Sequence, residues 1–285
     1  MDQILAFLPT TFGTVLHWIN GVVGNYGVAI ILFTILIRLI IFPLTIKQLQ
    51  SSAKMQDLQP KLAEIQERYK NDKEKLGQEQ MKLYKDEGVN PFGGCLPLLI
   101  QLPILFSMLY AFSQPLTYQL GQIGREVLKT PEYIKFATDN KTYPELLYVS
   151  NLNPSVNPSG QHLNMNFGPF DLSRVPVLDV STPQNIWLLL LVIVATACTF
   201  LSIKISMKRP NQPVPAKADA AAKTAGMNKM MMFMLPAMTL FFSFSFPAGL
   251  TLYWTTGYII QIFQQLAINK WFHGRKKEVV DPNGK

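Results

Sequence analysis

The chain has 285 residues, 48% of them hydrophobic and only 15% charged, with a net charge of +8 and a mean hydropathy of +0.16. Soluble proteins carry about 25% charged residues, and here the charges fall between long apolar runs, so a soluble enzyme is excluded as the leading reading. Two distant cysteines, Cys95 and Cys198, and three scattered histidines, His17, His162 and His273, form neither a disulfide framework nor a metal-ligand pattern, and no metal or other cofactor is expected. The basic excess lacks the aromatic-interleaved patch of a nucleic-acid binder.

Residues 1–21 contain no basic leader region and no small-residue cleavage motif, so they are expected to be retained rather than removed as a signal peptide. Ile4, Leu5, Leu8, Phe12, Val15, Leu16 and Ile19 recur at helical spacing, which predicts an amphipathic helix lying in the outer membrane interface. A hydrocarbon core about 30 Å thick takes about 20 apolar residues at 1.5 Å each. Five segments approach that length: span one at 22–43, span two at 91–113, span three at 186–206, span four at 229–246, and an outer turn with span five at 247–269. The run Ile186–Ile203 carries no charge and has no polar face, unlike a helix of a soluble bundle. The fold class read from this pattern is all-α: a polytopic membrane protein of five transmembrane helices.

The connections differ in kind. Residues 44–90 hold nine basic and eight acidic side chains and an apolar stripe of Met55, Leu58, Leu62, Ile65 and Tyr69. Pro60 starts or kinks a helix there, Asn71 and Asp72 supply a turn and an N-cap with Glu74 at capping-box distance, and Gly88 ends the second arm. This predicts a cytoplasmic helical hairpin, whose charges also suit a solvated, salt-bridged coiled coil without further role. The loop 114–185 is rich in Pro, Asn and Gly and predicts only short helices around 124–137 and 143–149. Residues 207–228 form a Pro/Ala/Lys cytoplasmic linker, and 270–285 a cytoplasmic basic tail.

Lys and Arg near the spans set orientation. Nine lie in 44–90, six in 204–229 and five in 270–285, whereas the first 21 residues have none and the long loop 114–185 has five. The N-terminus is therefore expected outside and the C-terminus in the cytoplasm.

Arg38 is the most informative residue, because it sits inside span one, five positions before Pro43. An Arg at the centre of a membrane helix costs about 2.5–3.5 kcal/mol on insertion scales. It either snorkels to the cytoplasmic headgroups or faces a water-filled cavity, and no acid within the spans balances it. Polar residues elsewhere favour a cavity: Thr34 one turn from Arg38, Gln101 and Ser107 in span two, Thr196, Thr199 and Ser202 in span three, and a stripe of Trp254, Tyr258, Gln261 and Gln265 in span five. Ser and Thr can equally serve as interhelical glue. The methionines Met227, Met230, Met231, Met232, Met234 and Met238 either pack or offer an adaptable apolar surface, and the two cysteines read as small membrane-helix residues.

With ILIRLIIFPLTIKQ at 35–48, the stretch from Lys54 through GVNPFGGCLPLLIQLPIL to Leu105, MMMFMLPAMTLFFSFSFPAGLTLYW at 230–254 and QIFQQLAINK at 261–270, the chain resembles the YidC/Oxa/Alb membrane protein insertase family in its Gram-positive form. The resemblance covers all five spans and the hairpin. It implies a bacterial plasma-membrane protein with a hydrophilic groove open to cytoplasm and lipid but closed outside. Arg38 would be the groove arginine, Thr34 its neighbour, and Trp254 an aromatic on the facing helix. The implied partners are nascent membrane proteins, the ribosome, the signal recognition particle receptor, the Sec translocon and the bilayer. Two departures stand out: Ser202 lies where the family often has Gln, and the outer loop is longer than the family's short connection. The large periplasmic domain of Gram-negative members and a lipoprotein-signal Cys are not expected.

Such a groove shortens the dry path for a client's polar tail, since each unsatisfied polar group costs several kcal/mol in hydrocarbon. Burial of the client's own apolar span drives the process, so neither an enzyme activity nor nucleotide hydrolysis is expected. The alternatives are a small-anion secondary transporter or channel using Arg38, against which the chain shows no inverted repeat, and a chaperone that binds membrane helices without translocation.

Overall fold

The computed structural model describes residues 2–89, 96–151, 163–207 and 232–280. The chain is mostly helical and divides into two compact units, each with its own core. Unit one comprises Met1–Leu39, Gln101–Thr199 and Pro236–Ile260, and unit two comprises Ile40–Ile100, Phe200–Leu235 and Gln261–Lys285.

Unit one begins with helix α1, Asp2–Val23. Leu16 and Ile19 are buried, and Phe12 and Val15 pack against the same core. The face that the sequence assigned to the membrane interface thus points in part into the protein, while Phe7, Trp18 and Val22 form the exposed apolar face. These three positions align because 11 residues make about three helical turns. Gly24, at φ 68°, stops α1, its N–H donating to Asn20 O.

Helix α2, Tyr26–Ile40, follows, with Asn25 Oδ1 accepting from Val28 N. It is shorter than the expected span 22–43. Gly24 delimits it at one end, and at the other the helix breaks at Ile41, where Pro43 brings no N–H to continue the ladder; helix α3, Phe42–Asp57, begins directly after. Helices α4, Gln59–Arg68, and α5, Lys73–Asp86, belong to unit two. Helix α6, Leu96–Ser113, brings the chain back to unit one from Gln101 onwards.

The long loop is far more ordered than its composition suggested. It folds into α7, Pro115–Tyr118; α8, Gly121–Leu128; α9, Pro131–Asp139; and α10, Pro144–Asn151. The helix expected over 124–137 is broken at Thr130, whose Oγ1 caps α9 by accepting from Tyr133 N, with Pro131 in the first turn. Two short antiparallel strands follow, β1, Asn166–Phe167, and β2, Phe170–Asp171, with Phe167 paired to Phe170. Leu116, Leu120, Tyr133, Leu146, Val149, Leu163, Met165 and Leu172 join the same core as Tyr26, Phe33, Met108 and Phe112. Apolar residues dispersed among Pro and Asn gave no periodicity to read, yet they supply a third wall of the core.

Helix α11, Pro183–Met207, buries Leu188, Val192, Ala195 and Thr199 but exposes Ile186, Leu190, Ile193 and Leu201. Helix α12, Met232–Ser243, exposes Phe233, Met234, Met238 and Phe241, so its two most outward methionines are surface rather than core. The remaining expected methionines 227, 230 and 231, and the linker, lie outside the described residues, as does Cys95. Helix α13, Ala248–Val280, has its first free N–H groups satisfied by the loop: Ala248 N donates to Arg174 O at 2.8 Å and Gly249 N to Leu172 O at 3.0 Å. Gly249 is required by closeness, since a Cβ there would lie 1.8 Å from Cζ of the buried Phe112 ring.

Among the described residues, only Pro183–Ser206 is by itself long and apolar enough to cross a bilayer; Gln101–Ser113 and Met232–Ser243 are apolar but shorter. Leu32, Leu36, Leu39 and Ile40 on α2, Phe106 on α6, and Ile259, Phe263 and Leu266 on α13 are also exposed. Apolar surface on so many helices needs a non-aqueous surrounding.

In unit two, Leu58 and Leu62 are buried with Val89, and Met55, Leu83 and Tyr84 pack against them. Asp72 caps α5 by accepting from Lys75 N at 3.0 Å. Glu74 falls at the second helical position, one short of the capping box, and its Oε1 accepts instead from Gln78 Nε2. At the other end Gly88, at φ 61°, allows Val89 N to reach Tyr84 O and Gly88 N to reach Lys85 O, closing a Schellman motif sealed by Val89 against Leu83 and Tyr84. Lys61 and Glu87 add an ion pair between the two arms.

Candidate functional site

The site is built around Arg38, on the last turn of α2. Its guanidinium lies against α13 at Gly257: a Cβ on that glycine would stand 2.9 Å from Nη2, 3.5 Å from Nε and 3.6 Å from Cζ. Tyr253 and Tyr258, one turn before and one residue after Gly257, lie beside the same charge. The side chain of Gln101, on α6, hydrogen-bonds that of Tyr253. Three helices of unit one therefore converge on one cation. Among the described residues no carboxylate pairs with it.

Of the residues singled out in the sequence, Arg38, Gln101 and Tyr258 are brought together. Thr34, Ser107 and Thr199 are buried in their helices, but their hydroxyls are engaged locally: Thr34 Oγ1 donates to Ile30 O at 2.6 Å, Ser107 Oγ to Pro103 O at 2.6 Å and Thr199 Oγ1 to Ala195 O at 2.8 Å. Thr199 also meets Thr239 Oγ1 of α12 at 3.3 Å, so its role includes joining helices. Thr196 bonds back to Val192 O. Trp254 turns to Phe242, with ring centroids 6.1 Å apart.

Ser202, Gln261 and Gln265 belong to unit two. There Gln265 Oε1 accepts from Ser206 Oγ at 3.4 Å, tying α13 to α11, while the Ser202 hydroxyl is buried with no hydrogen-bond partner among the described residues. Gln261 is half-buried.

Residues 18–277 match the 60Kd inner membrane protein family. The chain belongs to that family. Its relatives in the 60Kd inner membrane protein family include membrane protein insertase YidC 2 of Listeria innocua serovar 6a, 34% identical over 269 residues that cover 93% of this chain and 71% of the relative. Membrane protein insertase YidC 1 of Listeria monocytogenes serotype 4b is 34% identical over 259 residues, 90% of this chain and 68% of that one. The YidC insertase of Pelobacter propionicus is 32% identical over 248 residues, 87% of this chain but 36% of its own length.

Within this member of the family, sequence reasoning missed Tyr253 and Gly257. A signal for Gly257 was present: glycine inside a helix costs about 1 kcal/mol relative to alanine, which asks for a reason. Tyr253, four residues earlier on the same face, had none, because a tyrosine near a span end also suits an interfacial anchor.

Proposed function

We propose that this protein is a membrane protein insertase, the name its relatives bear, and that it works in the bacterial plasma membrane on nascent membrane proteins and assists their folding. The observation that carries the reading is Arg38: a cation on an apolar helix, seated among Gly257, Tyr253, Tyr258 and Gln101 with no carboxylate partner among the described residues. An unpaired charge at membrane depth attracts an acidic, translocating tail and keeps water beside it, which lowers the cost of moving polar groups through hydrocarbon.

In this reading the chain crosses the bilayer five times, at 22–43, 91–113, 186–206, 229–246 and 247–269, with α1 at the outer surface, α4 and α5 forming a cytoplasmic hairpin, and 207–228 and 270–285 also cytoplasmic. The groove is lined by Arg38, Gln101 and Tyr258, with Thr34, Ser107, Thr199 and Trp254 contributing polarity along its helices. The hairpin meets the ribosome, the signal recognition particle receptor or the Sec translocon. Topology is tested by single Cys probes in a background lacking Cys95 and Cys198. A probe at the exposed Lys141 should react with an impermeant reagent from outside and one at Gln78 should not; labelling of Gln78 from outside overturns the orientation. Function is tested by reconstituting the protein alone in liposomes with a single-span client. Client insertion is expected, whereas small-anion flux without insertion supports the transporter reading instead.

A further inference from the structure

We propose that Gly257 is a positioning residue for client insertion: its bare backbone is the seat that holds the Arg38 guanidinium at a fixed place, so that the charge serves acidic clients instead of reaching for the headgroups. This rests on the groove reading above and adds a cause for where the charge stands. Gly257 is buried within α13 and does not adopt a left-handed conformation, so backbone freedom does not explain it. The three atoms nearest to a Cβ built there are all guanidinium atoms, Nη2, Nε and Cζ of Arg38. The space that any other side chain would occupy is therefore filled by the charge itself.

Two other glycines show the contrast. A Cβ at Gly249 would meet the Phe112 ring at 1.8 Å, and one at Gly27 the Phe167 ring at 2.5 Å. Those neighbours are aromatic rings of the core, and the glycines there serve packing. At Gly257 the neighbour is the far end of a long, flexible side chain that no ion pair holds among the described residues. A methyl group is accommodated by moving the guanidinium about half an ångström or more, to ordinary contact distance. Tyr253 and Tyr258 flank the seat, and the hydrogen bond from Gln101 to Tyr253 ties one flank to α6. Without the seat, the guanidinium is pushed off the α13 backbone and only Tyr253 and Tyr258 remain beside it, so the long side chain extends away from the groove.

The test compares the full-length protein with Gly257→Ala and Gly257→Val in liposomes, using single-span clients that differ only in an acidic or a neutral tail. Thermal unfolding in detergent is followed in parallel. The expected result is an unfolding midpoint for Gly257→Ala at or above wild type, since alanine is the better helix former, with the acidic-to-neutral insertion ratio reduced about threefold and further in Gly257→Val. In a protein that already carries Arg38→Lys, whose side chain ends near the level of Cζ, 3.6 Å from the added methyl, and lacks the Nη2 atom that the methyl would displace, Gly257→Ala should leave the ratio unchanged. An unchanged ratio in Gly257→Ala, or equal loss for both clients with a lowered midpoint, overturns the proposal. The two readings fail separately. If Arg38→Ala leaves the ratio at wild type, the groove reading falls and this one with it; if Arg38→Ala collapses the ratio and Gly257→Ala does not, only the seat is refuted.

Discussion

Replacing Arg38 by alanine removes a cation that no carboxylate among the described residues neutralises, so the effect should depend on the client's charge and not on the protein's stability. The magnitude follows from the setting. Arg38 is half-buried against Gly257 and beside two tyrosines, an environment between bulk water and a dry interior. Two unit charges 4 Å apart interact by about 1 kcal/mol in water and about 4 kcal/mol at an effective dielectric of 20. Arg38→Ala should therefore slow insertion of an acidic-tailed client by about fivefold to a thousandfold. A neutral-tailed client should be slowed much less, and Arg38→Lys should retain most of the activity. The assay is initial insertion rate in liposomes, read by protease protection of the client tail, in a double-mutant cycle that pairs Arg38→Ala with neutralisation of the client's acidic residues. Equal slowing of acidic and neutral clients would refute the electrostatic role, and so would a coupling energy indistinguishable from zero.

Gly249→Ala should lower stability by about 1–3 kcal/mol despite its better helix propensity, because the Phe112 ring leaves no room for a methyl; an unfolding midpoint at or above wild type contradicts this packing. Burial pushes the Glu145 carboxyl above its ordinary range, although Thr117 donates to it through both N and Oγ1. A raised carboxyl pKa means the folded state holds its proton longer than the unfolded chain, so stability falls as pH rises above about 4.5. Glu145→Gln should raise the unfolding midpoint at neutral pH, with the gain vanishing below that range; an undiminished gain at pH 4 would show that the charge is not its source. Deleting 54–86 should abolish insertion yet leave the core of unit one folded, because none of its buried residues comes from that stretch. Normal insertion by the deletion protein reduces the two arms to a spacer.

The sequence alone determined that the chain is helical and apolar, where α5 begins and ends, and that Arg38 is the residue to follow. These features are local: capping at Asp72 and the left-handed Gly88 act within a few residues, and a charge inside an apolar run is visible without knowing its neighbours. The tertiary structure alone decided which face of α1 is buried, because both its faces are apolar and periodicity cannot choose between them. It decided likewise that the Pro- and Asn-rich loop folds onto the core, since Leu116 and Leu163 are isolated apolar residues in their stretches and share that core with residues far away in the chain. The hydroxyls of Thr34, Ser107 and Thr199 read equally as groove lining or as interhelical glue, and only the structure shows that each donates to the carbonyl four residues before it. Tyr253 and Gly257 entered the site only when α2 and α13 met, because a seat for a guanidinium is made of distance between two helices, which no spacing along one helix records.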